Sequence, residues 1–583
     1  MSSWSMPRWD VTLITKKLKS SSSRFLDILL WVCTSILALS LRPLWEPDEA
    51  RYAEIAREMV ATGDWLTPHL NGVLYFEKPP LQYWISALSI QCFGANDWAP
   101  RAPLVIAVGL CIWASRKITR LINPSSIGWP SLALLSSLMG FTMSQILTLD
   151  ALFTSFLMMS LAFFLQSEVA GEARPRLSIM AVWTFLGLAF LTKGPVALVL
   201  FVGSLFIYGL IYQGGFSSFQ LLRRVVRWEG ILLFTAIVLP WFWRVNQVHP
   251  GHSYFFFIYE NFIRYTTNEH ARQGSDIWII DKSYFILFLL AGLIPWTRFT
   301  LVGLWEMKPI LMSRKPLAAN SPDHLRRLLF IFSIWVLAFF SLSGSKLPPY
   351  IYPVLLPLLL LVTTHESSES APLKQTFIGF ELILLGALLL GYLCLKLSDA
   401  PSFYLAFALL SIFIVAGVFL RITYRPSTKI LATVLFLPMV GLLLTFHILS
   451  DYIAPQSVKK WVIQSPANTE WVSFGTYFQG ITYYSKKPCR VVAGTGELRF
   501  GKERLSSEEA ALRFYEKPTQ IEQALADTQR LFPEAPIRMI AKVKIWKLIP
   551  QGMQDQWIIL DQNQDLNLLL APRNASQPPP NTR

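Results

Sequence analysis

Apolar runs of membrane-crossing length alternate with short polar stretches along the chain as far as residue 450, and after that point the pattern changes. A helix needs roughly 20 apolar residues to cross about 30 Å of hydrocarbon. Windows of this kind lie near 25–41, 102–115, 127–146, 149–166, 178–192, 195–212, 230–247, 283–301, 328–343, 350–363, 375–395, 402–420 and 430–449. They predict about thirteen membrane helices. Lys16, Lys17 and Lys19 before the first run and Ala38-Leu-Ser40 after it imitate a signal peptide. The apolar core is longer than the usual roughly 7 to 15 residues, which predicts a retained anchor.

Basic residues orient the spans. Lys16 to Arg24, Arg116 with Lys117 and Arg120, Arg174 and Arg176, Arg223 to Arg227, Arg314 to Arg327, and Arg421 to Lys429 fall in alternate gaps, which the positive-inside rule assigns to the cytoplasm. The opposite gaps then face outward: 42–100, the turns at 147–150 and 193–194, the stretch 248–282, the turns around 344–349 and 396–401, and the tail from 451. Residues 1–450 read as a transmembrane unit and 451–583 as an outward, water-soluble α/β domain. In that tail the patterning predicts strands at Arg490 to Ala493, Met539 to Trp546 and Trp557 to Leu560, and helices at Ser506 to Tyr515 and Thr519 to Leu531. Gln577 to Arg583, rich in proline, reads as a disordered end.

Composition confirms the class. Of 583 residues, 53% are hydrophobic and only 15% charged, with a mean hydropathy of +0.41, far from an ordinary soluble domain. The net charge of +15 suits cytoplasmic loops and anionic headgroups, so nucleic acid is not an expected partner and membrane lipid is. The five cysteines carry no CxxC pair, which argues against a disulfide framework or a zinc site.

The outward gaps hold the unusual chemistry. Four acids, Glu46, Asp48, Glu49 and Glu54, crowd the start of the first loop, just before a helix predicted over Ala50 to Met59. Helix capping would account for Asp48 and Glu49 alone. The same loop, however, holds Tyr75-Phe-Glu-Lys-Pro-Pro-Leu-Gln-Tyr-Trp84, with the adjacent acid and base Glu77 and Lys78 in a rigid aromatic turn, and two such blocks in one loop mark a candidate site. Tyr83, Trp84 and Trp98 fit plain interfacial anchors. Further charges stand in tight outward turns: Asp150, Lys193 and Lys346, with Arg244, Arg264 and Arg272 around 248–282. Together they predict an outward cavity with few carboxylates and many cations, suited to an anionic headgroup, Lys acting on phosphate as a point charge and Arg as a planar fork. His249, His252 and His270 with Glu260 or Glu269 are the one candidate set for a divalent metal, although loop histidines are more often simply solvated.

The blocks Glu46-Pro-Asp-Glu-Ala-Arg-Tyr52, Phe76-Glu-Lys-Pro-Pro80, Leu147-Thr-Leu-Asp-Ala-Leu152, Leu191-Thr-Lys-Gly-Pro195 and Ser345-Lys-Leu-Pro-Pro-Tyr350 resemble, in residue type and order, the bacterial aminoarabinose lipid A transferases. Those enzymes belong to the polyprenyl-phosphate-dependent membrane glycosyltransferases, which include the protein O-mannosyltransferases. The likeness covers about the first 450 residues, and the tail matches that family's outward domain in size and position. It implies a GT-C-like polytopic fold and transfer of a sugar, an amino-sugar such as 4-amino-4-deoxy-L-arabinose, from undecaprenyl phosphate to lipid A or another envelope glycan at the outer face of a bacterial inner membrane. Lys78, Arg264 and Tyr350 resemble the family's phosphate-contacting positions, with Lys193 a further candidate. Asp48 resembles its key acid and Asp150 that acid's partner, while Glu77 adjoins Lys78. Arg51, Tyr52 and Lys346 lie within the matching blocks and are assigned to substrate binding.

Breaking the sugar–phosphate bond returns negative charge to the lipid phosphate, which the cations must stabilise. A hydroxyl acceptor needs a general base, whereas a lipid A phosphate, with a second pKa of about 6, is already ionised. For a phosphate acceptor Asp48 therefore orients the acceptor or binds a cationic amino-sugar, and a single displacement inverts the anomeric centre. Two alternatives stand beside this reading. A protein O-mannosyltransferase would use a peptide hydroxyl. A lipid or sugar transporter would place ionisable groups inside its spans, and the span centres here are nearly free of charge.

Overall fold

In the computed structural model the described residues are 25, 27–36, 38–39, 42–171, 176–213, 218–266, 278–365, 458–555, 557–562 and 566–570. The apolar windows predicted at 375–395, 402–420 and 430–449 lie outside them, as do the basic residues 16–24, Arg174 and 421–429, the turn 396–401 and the end 571–583.

Among the described residues five helices are long and apolar enough to cross a membrane: Ala99–Ile122, Leu149–Val169, Arg176–Lys193, Trp228–Val248 and Pro322–Leu342. The central one, Leu149–Val169, is apolar on every face and buried over 89% of its window, as a helix wrapped by other helices must be. The pair Asp281–Gly292 and Thr297–Glu306 is bent by 107° and adds a sixth if it is one span. Pro295 sits in that bend, where it supplies no N–H to a continuing helix. The window predicted at 127–146 is likewise two helices, Trp129–Ser136 and Leu138–Met143. Ser137 stands extended between them and its hydroxyl accepts the Gly140 N–H, so a polar side chain restarts the helix.

Two helices lie in the first loop. We label as α1 Asp48–Thr62, which stops at Gly63 in the left-handed region, and as α2 Leu81–Phe93, which follows the Pro79-Pro80 pair. Between them the two-residue strands β1 (His69–Leu70) and β2 (Val73–Leu74) form a hairpin.

The C-terminal chain builds a six-stranded mixed sheet of order β5-β4-β3-β6-β8-β7, with β3 Glu470–Phe474, β4 Arg490–Val492, β5 Phe514–Tyr515, β6 Ile537–Lys542, β7 Ile558–Gln562 and β8 Leu566–Leu570. Strands β3 to β6 pair in parallel and β8 runs antiparallel to both β6 and β7. Val472, Phe474, Met539 and Trp546 form one side of its core. The run Met539 to Trp546 is a strand only as far as Lys542, and Val543–Trp546 is a helical turn. The helix predicted to Tyr515 ends at Arg513, where Phe514 and Tyr515 join the sheet edge.

This unit sits on the first loop. Asn71 donates to the Cys489 carbonyl at 3.0 Å and accepts its N–H at 2.8 Å. Tyr484 bonds Asp97 at 2.8 Å and receives the Leu44 N–H at 2.9 Å, and Lys459 pairs with Asp97. These polar groups are therefore satisfied across the contact, which fixes how the two parts dock.

Candidate functional site

Asp48 and Glu49 open α1, yet neither is merely a helix cap. Glu49 is fully buried and its carboxylate gathers two guanidinium groups: Arg42 at 2.6 and 2.8 Å and Arg101 at 2.9 and 3.1 Å. It also accepts the N–H groups of Trp45 at 3.1 Å and Leu147 at 2.8 Å. Burial by itself raises this carboxyl, but Arg101 and Arg42 outweigh it and hold Glu49 well below the usual carboxylate range. Asp48 points the other way, its side chain 41% exposed, and takes Arg51 at 3.2 Å. Arg51 in turn meets Glu497 of the C-terminal unit at 2.5 Å.

Glu77 and Lys78 lie after β2, facing the π-helical segment Phe255–Ile263 and the turn that follows it. Arg264 pairs with Glu260 at 2.6 Å and with Glu77 at 3.5 Å, and Lys78 lies 3.5 Å from the same Glu260. Lys78 also donates to the Glu77 carbonyl at 2.8 Å. Burial, then repulsion from Arg264, push the Lys78 ammonium down to about 8 against the pull of Glu260 and Glu77.

Asp150 stands in the first turn of Leu149–Val169 and Lys193 closes Arg176–Lys193, so an anion at one helix start pairs with a cation at another helix end, as both dipoles favour. The Lys193 ammonium lies 4.3 Å from the Tyr350 ring centroid. Tyr52 is buried beside Tyr83, ring centroids 6.0 Å apart, and its hydroxyl is raised by burial and by Asp48 and Asp150. Lys346 instead serves its own turn, donating to the Ser343 carbonyl at 2.5 Å and pairing with Asp281 at 3.1 Å.

A cavity of about 410 Å³ reaches Asp48 past Met139, Met143, Phe288 and Pro348, giving the acid an apolar approach. A second, of about 260 Å³, lies beside Glu77, Glu260 and Glu497 under Tyr259 and Phe500. The structure therefore brings Asp48, Arg51, Tyr52, Glu77, Lys78, Asp150, Lys193, Arg264 and Tyr350 to one charged face. The predicted excess of cations is corrected: Arg51, Lys78, Lys193, Arg264 and Lys346 each face a carboxylate. Desolvated cations need that compensation. Arg244 is exposed and bonds Gln247 on its own helix, and Arg272 lies outside the described residues.

Among the described residues the candidate metal donors do not converge. His252 is edge-on to Phe76 and Trp241 and buried among rings, which push it down to about 4, while His249 bonds Thr67 at 3.1 Å. Glu269 and His270 lie outside the described residues, and among those described no three His, Cys, Asp or Glu side chains converge to hold a metal. Sequence reasoning missed Arg42, Arg101, Asp281 and Glu497. Arg101 carried a signal, since a cation at the start of an apolar helix opposes the dipole and calls for a buried anion. Glu497 carried none.

The family model for dolichyl-phosphate-mannose-protein mannosyltransferases matches residues 20–256. The chain is 32% identical over 340 residues to an undecaprenyl phosphate-alpha-4-amino-4-deoxy-L-arabinose arabinosyl transferase of Aeromonas hydrophila, covering 57% of each protein. It is 30% identical over 395 residues to one from Proteus mirabilis, covering 65% of this chain and 66% of the relative. The matched stretches thus span from just over half to about two thirds of those relatives' lengths. The crystal structure of ArnT from Cupriavidus metallidurans superposes with a TM-score of 0.76 over 95% of this chain and 98% of that one, at 24% identity.

The chain therefore shares its fold with that structure, with helices of membrane-crossing length and charged loops. Over the matched stretches its sequence is similar to the undecaprenyl phosphate-aminoarabinose arabinosyl transferases.

Proposed function

We propose that this protein transfers an aminoarabinose-type sugar from undecaprenyl phosphate to lipid A, acting at the periplasmic face of the inner membrane with inversion. One observation carries the reading: three cation–carboxylate sets, Lys78/Arg264 with Glu77/Glu260, Lys193 with Asp150, and Arg51 with Asp48, share one charged face, and Asp48 of that face lines an apolar cavity. The relatives' own names specify undecaprenyl phosphate and aminoarabinose, and the Cupriavidus ArnT was crystallised with undecaprenyl phosphate.

In this reading Arg264 offers a planar fork and Lys78 a point charge to the donor phosphate, with Tyr350 and Lys193 alongside. As the sugar–oxygen bond breaks, the bonding pair stays on the phosphate oxygen, and these donors are already in place for the charge that develops. Asp48, exposed towards the apolar cavity, meets the acceptor. A lipid A phosphate is ionised near neutrality, so Asp48 orients it or holds the amino-sugar's cation. Thirteen spans, a cytoplasmic N-terminus, a transmembrane unit over 1–450 and a periplasmic α/β domain over 451–583 complete the proposal. The match to the mannosyltransferase family model supports a second reading, a protein hydroxyl acceptor, for which Asp48 would be the base.

Mass spectrometry of lipid A from a host deprived of the protein, then supplied with wild type, Asp48→Asn or Lys78→Ala, tests the function. A sugar-sized increment requiring both residues is expected. An unmodified lipid A with wild-type protein overturns the acceptor.

A further inference from the structure

Asp48 is flanked in sequence by two side chains that the C-terminal unit holds. On one side Glu46, half-buried, accepts the backbone N–H groups of Gln479 at 3.1 Å and Gly480 at 2.5 Å. On the other side Arg51 binds Asp48 at 3.2 Å and Glu497 at 2.5 Å. The two arms meet at one residue. Gln479, 3% exposed, gives its backbone N–H to Glu46 and its side-chain amide to Glu497. The contact has no slack, since a Cβ on Gly480 would lie 2.4 Å from the Glu46 carboxylate and 2.9 Å from Val458.

We infer that Gln479 is a positioning residue, through which the C-terminal unit sets the direction of the Asp48 carboxylate by way of Glu46 and Arg51. The inference rests on the transferase reading for its kinetic consequence, but not for its structural one. Gln479 touches no reacting atom. It fixes the Glu497 carboxylate, Glu497 fixes the Arg51 guanidinium, and Arg51 chooses which Asp48 oxygen turns towards the cavity. A charge-assisted bond with one defined partner holds such an orientation better than solvent does, and small misplacements of a reacting group cost large factors in rate.

The test uses full-length protein in lipid nanodiscs carrying Gln479→Leu, which keeps the bond to Glu46 and deletes the bond to Glu497, and separately Gly480→Ala, which displaces Glu46. Hydrogen exchange is read at residues 46–52, with strands β3 and β6 as the internal control. At least ten-fold faster exchange at 46–52, with the strands still protected, is the expected result. Equal exchange in wild type and Gln479→Leu overturns the inference. Transfer from an undecaprenyl-phosphate sugar is measured on the same samples, and kcat at least ten-fold lower at unchanged KM for the donor is expected. A fall confined to KM overturns the inference. Wild-type protein that transfers nothing counts against the transferase reading, while the exchange comparison still decides the role of Gln479.

Discussion

Glu49 accepts the Leu147 N–H at 2.8 Å, so the residue directly after Asp48 is tied to a backbone three residues before Asp150. The two acids most separated along the first half of the site thereby share one frame, and the anchoring carboxylate is itself locked by Arg42 and Arg101.

Replacing Glu49 with Gln leaves two buried guanidinium groups without their anion. A loss of about 3–5 kcal/mol is expected, the usual cost of breaking a buried pair from one side. Thermal unfolding in detergent measures it, and a variant that melts like wild type would refute the assignment. Because the folded Glu49 carboxyl titrates below its unfolded value of about 4.3, its contribution is complete above that pH and disappears only as pH falls through the folded value.

Lys78 loses its charge above about pH 8, well before an exposed lysine would. Between that pH and the ordinary lysine value the folded state binds fewer protons than the unfolded one, so stability rises with pH there. Ligand affinity runs the opposite way, because the phosphate needs the cation. Binding of undecaprenyl phosphate, followed by fluorescence titration, is expected to hold steady to about pH 8 and then weaken by up to about ten-fold per unit. A flat profile to pH 10 would remove Lys78 from the phosphate site.

Asp150→Asn and Lys193→Met each strand one buried charge and are expected to cost about 3–5 kcal/mol. The double variant removes both charges, so it should recover much of the stability while remaining inactive. Calorimetry on the three proteins decides the matter: additive losses would mean that the pair does not interact.

Gly501 meets the first-loop hairpin so closely that an added Cβ would lie 2.5 Å from the Leu74 carbonyl and 2.8 Å from Val73. Gly501→Ala is expected to cost about 1–3 kcal/mol through overpacking and to loosen the C-terminal unit. Faster limited proteolysis between residues 495 and 505, with the sheet intact, is the measurable sign.

The transmembrane character and most of the charged face were legible because hydrophobic length and misplaced charge are local signals. Glu77, Lys78, Asp150 and Lys193 stood out as ions in turns where any polar residue would serve. Helix α1 was legible too, although it runs to Thr62, where Gly63 stops it, rather than to Met59. The break at Ser137 was not, since Leu132 to Met143 is apolar enough to read as continuous, and the interruption depends on one hydroxyl finding an N–H. Strands β3 and β8 were missed because each is placed by pairing with β6, which no pattern within its own short run marks. Glu497 was invisible for the same reason: nothing near it in sequence marks the residue that pairs with Arg51.

Pairing Arg51, Lys78, Lys193 and Arg264 with carboxylates also sets what the site ignores. A small inorganic anion gains little by approaching Arg264 or Lys193, because it must first part an existing ion pair and carries no apolar mass to offset that cost. A phosphate borne on a long hydrocarbon brings such mass, its tail being retained by the bilayer and by apolar walls. The carboxylates thus act as a filter on size and greasiness, keeping the phosphate of small water-soluble solutes out of a site that its charge alone would have opened to all of them.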